Sequence, residues 1–279
     1  MASQELIKEL NRKALQLRYN LLEMIGVGKA GHLGGSSSLA ETMAVLYFHK
    51  LRLGSKNRRD PGRDRLVLSK GHAALIQYAA LVELGYFPRE ELKKVKSLGG
   101  LLQGHPDLSI PGIEAVTGSL GQGLSISVGM ALALRLDKLP SRVYVIMGDG
   151  EQSEGQLWEA AMAASNFKVD NLVAFLDWNK IQATGPTKEI FSIPQLAEKW
   201  TAFGWEVIPV DGHDVGQIIA AIDKAETVKG KPSLILLDTI KGKNFSFAEN
   251  TAAYHNGILD EAKFAQAMKE LDAQKAGLE

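Results

Sequence analysis

Residues 143–151 read VYVIMGDGE, an apolar run that leads directly into an aspartate between two glycines. Residues 172–179, LVAFLDWN, repeat this pattern, and further apolar runs lie at 206–210 and 234–237. Helical patterns separate these runs, and such alternation is typical of a parallel sheet with helices on both faces. We therefore expect an α/β fold in which a parallel sheet is flanked by helices.

The first part of the chain is predicted to be helical. From Gln4 to Ile25, apolar residues recur every three or four positions, which is the helical period and indicates an N-terminal helical preface to the sheet. A further short strand is predicted at 66–68. The other predicted helices lie at 38–50, 73–84, 121–136, 154–167, 195–203, 214–228 and 260–271. The helix at 121–136, rich in Gly, Ala and Ser, is expected to be buried. The sequence shows no internal repeat or linker, so we expect residues 1–279 to form a single domain.

The composition excludes several classes of protein. The 279 residues include 32 basic and 32 acidic side chains, and this neutral balance argues against nucleic-acid binding, which normally needs a basic surface. There are no cysteines, which excludes disulfides, thiolate catalysis and cysteine-ligated metals. The longest near-apolar run, residues 124–134, is shorter than the roughly 18 residues that a membrane helix needs. We expect a soluble cytoplasmic protein without a membrane or nucleic-acid partner.

A glycine-rich motif near the N-terminus matches a dinucleotide-binding fingerprint. Residues 26–31, GVGKAG, spell G-x-G-x-x-G, but this motif binds phosphate only where a strand precedes it and a helix begins at it. Here a helix is predicted to precede the motif. The sequence context therefore disfavours a nicotinamide-dependent enzyme.

Asp149 and Asn179 each follow a predicted strand, and the thirty residues between them correspond to one strand–helix–strand unit. Ligands of open α/β sheets bind at the carboxyl ends of the strands, where the N-terminus of the next helix favours an anion. A carboxylate and a carboxamide are suitable ligands for Mg²⁺ or Ca²⁺, and phosphate oxygens can complete the coordination. Either residue alone is more simply explained as a helix cap or a loop residue. Together they predict a metal and phosphate site.

The segments around these residues resemble a known cofactor motif. GDGEQSEGQLWEA at 148–160, followed by NLVAFLDWNKIQATG at 171–185, resembles the thiamin diphosphate motif. More specifically, residues 5–270 are similar to the N-terminal half of transketolases. The further matches are AGHLGGSSS at 30–38, LSKGHAAL at 68–75, GHPD at 104–107, TGSLGQGLS at 117–125 and YHNG at 254–257. Each match alone is weak, but the set is specific.

The resemblance implies a role for each matching position. Asp149, Asn179 and the backbone carbonyl of Ile181 would hold the metal ion, Mg²⁺ or Ca²⁺, that bridges the diphosphate. Glu154 would belong to the carboxylate network that couples two cofactors across the interface between subunits. The positions that would contact thiamin diphosphate are Gly118, Ser119, Leu120, Gly150, Glu151 and Asn179.

Four of the six histidines lie in the matching segments. By resemblance, His32, His72, His105 and His255 would line the sugar site, donate to substrate hydroxyls or transfer protons. An unperturbed imidazole, with a pKa of about 6.5, suits proton transfer at neutral pH. His213, in the sequence VDGHD, is interpreted as a turn and helix-cap residue.

Transketolases transfer a two-carbon ketol unit from a ketose phosphate to an aldose phosphate, so the resemblance implies such a transferase, in the pentose phosphate pathway. In this family, the glutamate that activates the cofactor, the pocket for its pyrimidine ring and the cations that bind the sugar phosphate lie in later domains. We therefore expect a partner polypeptide with the pyrimidine-binding and C-terminal domains, an α2β2 assembly, and no activity without that partner.

Other functions stay open. A component of a 2-oxoacid dehydrogenase E1 enzyme, or a relative of deoxyxylulose-phosphate synthase, would use the same cofactor, although the set of histidines argues against both. A non-catalytic scaffold would keep the fold, but it would not need Asp149, Asn179 and the histidines together.

Overall fold

The computed structural model describes residues 2–53 and 60–278. The strands in chain order are β1 Ala30–Gly31, β2 Arg65–Leu68, β3 Val143–Gly148, β4 Leu172–Trp178, β5 Ile181–Gln182, β6 Gly185–Pro186, β7 Glu206–Asp211, β8 Ser233–Asp238 and β9 Gly257–Ile258. The central sheet has the order β2-β3-β4-β8-β7, and all neighbouring strands in it are parallel. The predicted parallel sheet is confirmed.

Each face of the sheet carries its own hydrophobic core. Successive residues of β3 point to opposite sides, so Tyr144 and Ile146 belong to one core, whereas Val143, Val145 and Met147 belong to the other. Every residue of β3 is buried. Burial on both faces explains why the central strands are continuous apolar runs rather than alternating ones.

The register of the strands brings their carboxyl ends to one edge of the sheet. Gly148 at the end of β3 pairs with Asp177, and Trp178 at the end of β4 pairs with Asp238 of β8. The polar residues that follow these strands therefore enter loops on the same side of the molecule.

Helices cover both faces of the sheet. They are α1 Gln4–Ile25, α2 Leu33–Ser37, α3 Ala40–Val45, α4 Ala74–Glu83, α5 Gln122–Leu136, α6 Gly155–Asn166, α7 Thr187–Ile190, α8 Leu196–Ala202, α9 Val215–Thr227 and α10 Glu261–Leu278. Helix α1 has the predicted bounds; the Ser3 hydroxyl caps its N-terminus by accepting from the N–H of Leu6 at 3.2 Å. It ends at Gly26, whose φ is 59°. A helix thus precedes the GVGKAG motif, as expected.

Two expectations about helices are wrong. The predicted helix at 38–50 is interrupted at Leu39, where φ is −99° and ψ is 2°, and it ends in a π-helical turn at Leu46–Lys50. The interruption follows Ser38, whose side chain is tied to Asp177 of the sheet. Helix α5 is buried along one face only, because its other face points away from the sheet; Leu136 on it is 82% exposed.

Two short antiparallel pairs shape the loops near the sheet edge. Strand β1 pairs with β9, and β5 pairs with β6. Among the described residues, no helix combines the length and the hydrophobicity needed to cross a bilayer.

Candidate functional site

A cavity of about 250 Å³ opens at the carboxyl ends of β3 and β4, beside the segment that follows β8. This is the edge at which the sequence predicts a ligand site. The cavity-lining residues that the sequence analysis had singled out are His72, Leu120, Asp149, Gly150, Glu151, Glu154, Asn179, Ile181 and His255.

Asp149 directly follows β3 and is buried. Its Oδ1 accepts from the N–H of Gly150 at 2.7 Å, the N–H that was predicted to contact the diphosphate. Its Oδ2 accepts from the N–H of Lys180, the residue next to Asn179, so the two predicted ligand segments do meet. Burial, and then the negative charge of Asp177, raise the pKa of Asp149 to about 6. A cation bound to this carboxylate would relieve that electrostatic cost.

The other predicted metal ligands lie beside Asp149 and have partners within the chain. The Oδ1 of Asn179 accepts from the N–H of Ile181 at 3.2 Å, and its Nδ2 donates to Asp177 at 2.9 Å. The carbonyl oxygen of Ile181 accepts from the Nζ of Lys241 at 2.8 Å. The predicted oxygen ligands are thus gathered next to a buried ammonium group.

The sequence analysis missed two buried lysines of this site. Lys241 is 2% exposed, and its Nζ lies 3.0 Å from the Nδ1 of His255. Burial, and then the charge of Lys70, lower the pKa of Lys241 to about 8. Lys70 donates to the carbonyl of Gly35 at 2.7 Å and forms an ion pair with Asp177. Lys70 stands within the matched segment LSKGHAAL, which was the signal that could have revealed it.

Asp177 is a fully buried carboxylate that connects four segments beneath the cavity. It accepts from Ser38 Oγ at 2.8 Å and from Asn179 Nδ2 at 2.9 Å. It also accepts from Lys70 Nζ and from Thr239 Oγ1. Burial raises the pKa of Asp177, but the ion pair with Lys70 and these hydrogen bonds outweigh it, so its pKa is lowered.

The four predicted histidines form one cluster, which we call the histidine cluster: His32, His72, His105 and His255. The ring centroids of His72 and His255 are 4.8 Å apart, and the His32 ring lies 5.3 Å from His72, 5.5 Å from His255 and 6.2 Å from His105. These residues come from four separate loops. The structure therefore brings together all four imidazoles that the sequence singled out.

The imidazoles of the histidine cluster are neutral at neutral pH. Burial, and then the charge of Lys96, lower the pKa of His32 to about 4. Burial and Lys241 lower the pKa of His255 to about 3. The pKa values of His72 and His105 are also lowered, mainly by burial. Such imidazoles bind a substrate as hydrogen-bonding groups rather than as cations.

The predicted groove segment is only partly at the cavity. Leu120 lines the cavity, whereas Ser119 is exposed to solvent. Gly118 has a φ of 146°, and a Cβ there would lie 2.8 Å from the Cδ2 of His105. Glycine at this position therefore allows the loop to pass directly against the His105 ring.

The two predicted glutamates differ in their surroundings. The buried carboxylate of Glu151 accepts from the N–H of Gly121 at 2.8 Å, from the N–H of Gly148 at 3.0 Å and from Ser69 Oγ. Its oxygens thus brace the loop before α5 against the end of β3. Glu154 is exposed at the cavity rim, where it precedes α6.

Comparison with known proteins identifies similar sequences over nearly the whole chain. Residues 11–277 match the family described as transketolase, thiamine diphosphate binding domain. The chain is 48% identical over 269 residues to the 6-deoxy-6-sulfo-D-fructose transketolase subunit SqwG of Clostridium sp. (strain MSTE9), covering 96% of this chain and 98% of that protein. It is 40% identical over 275 residues to an apulose-4-phosphate transketolase subunit of Phocaeicola vulgatus, covering 99% and 96%. Human transketolase is 38% identical over 272 residues, which is 97% of this chain but 43% of the human protein.

Solved structures show the same fold. A Pichia stipitis transketolase complex with sedoheptulose-7-phosphate superposes with a TM-score of 0.89 at 33% identity, covering 95% of this chain and 41% of that chain. The transketolase of Campylobacter jejuni superposes with a TM-score of 0.87 at 28% identity, covering 100% and 46%.

Proposed function

Because the chain belongs to the transketolase family, through its thiamine diphosphate-binding domain, we propose that it is the cofactor-binding subunit of a two-chain transketolase. The proposed reaction transfers a two-carbon ketol unit from a ketose phosphate, or a ketose with another anionic group, to an aldose phosphate. One observation carries this proposal. Asp149 and Asn179 border the same cavity as His72 and His255, within the cluster of four neutral imidazoles.

The oxygen donors at the cavity fit a divalent cation. Among the described residues, no three His, Cys, Asp or Glu side chains are arranged as a metal site. The proposed ion is therefore held by the Asp149 carboxylate with the oxygens of Asn179 and Ile181, and phosphate oxygens complete its coordination. Hard oxygen ligands of this kind suit Mg²⁺ or Ca²⁺.

The same cavity fits a diphosphate. The Lys241 ammonium, beside Ile181, offers positive charge to the phosphate oxygens. A Cβ at Gly150 would lie 2.9 Å from the Cβ of Gln182, so glycine leaves space at this point of the cavity wall. The residues present thus match both parts of a metal-bound diphosphate.

When bound, thiamine diphosphate supplies the carbanion chemistry that breaks and forms the carbon–carbon bond. The chain's own residues orient the sugar and hold protons. Because Lys241 donates to the Nδ1 of His255, the proton of this imidazole lies on Nε2 and can be donated to a substrate hydroxyl. The Nδ1 of His32 is buried without a hydrogen-bond partner among the described residues, so it is free to bind a hydroxyl group of the sugar.

We propose that a second polypeptide completes the site. The chain covers 98% and 96% of two relatives that are named as transketolase subunits, but 43% of human transketolase. The partner would supply the pyrimidine pocket and the groups that bind the anionic end of the sugar. The assembly would be α2β2, with residues 1–279 of this chain as one domain, and the chain would be inactive alone.

The proposed function is tested by producing the chain with the polypeptide encoded beside it. Ketol transfer is measured with the sugars that the names of similar proteins give, 6-deoxy-6-sulfo-D-fructose, apulose-4-phosphate and sedoheptulose-7-phosphate. We expect turnover only with both chains, Mg²⁺ and thiamine diphosphate. Asp149→Ala should abolish it, and the surface variant His49→Ala should not.

Two results would contradict the proposal. Turnover by the isolated chain would exclude the two-chain arrangement. A complex that binds the cofactor but transfers no ketol unit from any of these donors would favour a different thiamine diphosphate reaction or a scaffold.

A further inference from the structure

His213 has a larger role in the structure than the predicted turn and helix cap. The cap of α9 is Asp214, whose Oδ1 accepts from the N–H of Gln217 at 3.0 Å. The turn is closed by Asp211, whose Oδ1 accepts from the N–H of His213 at 2.8 Å. Neither contact uses the imidazole ring of His213, which instead points between α3 and the segment after β8.

The two ring nitrogens of His213 have different partners. Its Nε2 accepts from the backbone N–H of Ile240 at 2.9 Å. A nitrogen that accepts an N–H carries no proton, so the ring proton is on Nδ1, which lies 3.0 Å from the Oε2 of Glu41. The ring therefore donates to a carboxylate on one side and accepts from the backbone on the other.

The carboxylate that holds His213 is itself fixed in the core. Arg18 donates to Glu41 at 2.6 and 2.9 Å, and both residues are buried. Arg18 also donates to the carbonyl of Ser37 at 3.0 Å. Burial raises the pKa of Glu41, but Arg18 and His213 outweigh it and lower the pKa to about 2, so the carboxylate stays ionised. The imidazole is thus anchored to a rigid ion pair between α1 and α3.

The backbone that His213 holds leads directly into the cavity. Ile240 precedes Lys241, whose Nζ reaches the Ile181 carbonyl and His255. On the other side, the N–H of Gly242 donates to the carbonyl of Gly34 at 3.0 Å. The peptide groups on both sides of Lys241 are therefore fixed by hydrogen bonds.

We propose that His213 is a positioning residue of the cofactor site: by accepting the N–H of Ile240, it directs the Lys241 ammonium toward the diphosphate. This inference rests on the proposed function, which assigns Lys241 to the diphosphate. His213 itself does not line the cavity, so it acts through Lys241.

The experiment is a double-mutant cycle between His213 and Lys241 in the complex with the partner chain. His213→Asn keeps a donor for Glu41 but has no atom long enough to reach Ile240. His213→Gln places an oxygen acceptor near the position of Nε2. The measured quantity is the Kd of thiamine diphosphate in the presence of Mg²⁺, determined by calorimetry, with unfolding temperatures as a check on folding.

Lys241→Met should weaken cofactor binding roughly 10- to 100-fold, the loss of one hydrogen bond to a charged group. His213→Asn should weaken it about three- to tenfold, the effect of one neutral hydrogen bond, and His213→Gln should stay within about twofold of the wild type. In the Lys241→Met background, His213→Asn should have less than about a twofold effect, because its route to the ligand is gone. The surface variant His49→Asn is the control.

The outcomes separate the inference from its premise. If Lys241→Met leaves the Kd unchanged, the assignment of Lys241 to the diphosphate is wrong, and the role of His213 falls with it. If Lys241→Met weakens binding but His213→Asn has no effect, or has an equal effect in both backgrounds, the site stands and the positioning role is wrong.

Discussion

The imidazoles of the histidine cluster combine two properties that rarely occur together on a protein surface: they are close to one another, and they are uncharged at neutral pH. Burial and the neighbouring lysines Lys70, Lys96 and Lys241 both disfavour protonation of these rings. Each ring therefore keeps one donor and one acceptor. This arrangement suits the recognition of a sugar, whose hydroxyls both donate and accept.

His105 provides the most direct test of a single ring in this cluster. It is exposed to solvent, so its removal should leave the fold intact. We expect His105→Ala to lower kcat of the two-chain enzyme by about 100-fold, the usual effect of removing one donor to a developing oxyanion. The unfolding temperature should change little. Full turnover in this variant, with His49→Ala measured in parallel, would show that His105 has no part in the reaction.

At the scale of single residues, the sequence could predict groups that lie in local motifs. Asp149 and Asn179 follow apolar runs, and the histidines lie in short matched segments. Lys70 could not be found in this way, because its partner Asp177 is 107 residues away in the chain. His213 was misjudged for the same reason, since Glu41 is 172 residues distant.

The elements around the site depend on close approach of backbone segments. A Cβ at Gly71, before α4, would lie 2.6 Å from the carbonyl oxygen of Thr117 and 2.8 Å from the nitrogen of Gly118. Backbone atoms cannot move aside as a flexible side chain can. We expect Gly71→Ala to lower the free energy of unfolding by about 1–3 kcal/mol, the typical cost of overpacking, when measured by urea denaturation.

Gly129, on the exposed face of α5, is the matched control for Gly71. A Cβ there would meet no atom within 4 Å among the described residues. Gly129→Ala should raise the free energy of unfolding by about 0.5–1 kcal/mol, because alanine is the better helix former. Equal effects of the two substitutions would contradict the role given to Gly71.

At the scale of elements, the sequence predicted the five strands of the sheet because burial on both faces leaves an unmistakable apolar run. It did not predict the interruption at Leu39. That interruption is linked to the contact between Ser38 and Asp177, which are 139 residues apart. Helical periodicity reports which residues face the core, but it does not report a side chain that ties the helix to a distant strand.

For the whole molecule, the histidine cluster makes stability depend on pH. Folding lowers the pKa of His32 from 6.5 to about 4 and that of His255 from 6.5 to about 3. Below pH 6.5 the unfolded chain therefore binds protons that the folded chain rejects. The free energy of unfolding should be complete above pH 6.5 and should fall as the pH decreases toward 4.

This dependence is measured by urea denaturation of the chain at pH 7.5 and pH 5. The loss of stability between these values should be smaller in the double variant His32→Gln/His255→Gln. The comparison separates the imidazoles from Asp149, whose raised pKa acts in the opposite direction. An identical loss in the variant and the wild type would show that these rings titrate normally in the folded chain.

The four donors to Asp177 come from segments that follow α2, β2, β4 and β8. A single carboxylate thereby couples the mobility of all four loops, so none of them can open without giving up a contact to a buried anion. In hydrogen–deuterium exchange, the amides of these loops should become protected or exposed as one cooperative unit. The floor of the cavity would then be rigid before any ligand arrives, and the entropy of ordering it would already be met by the fold.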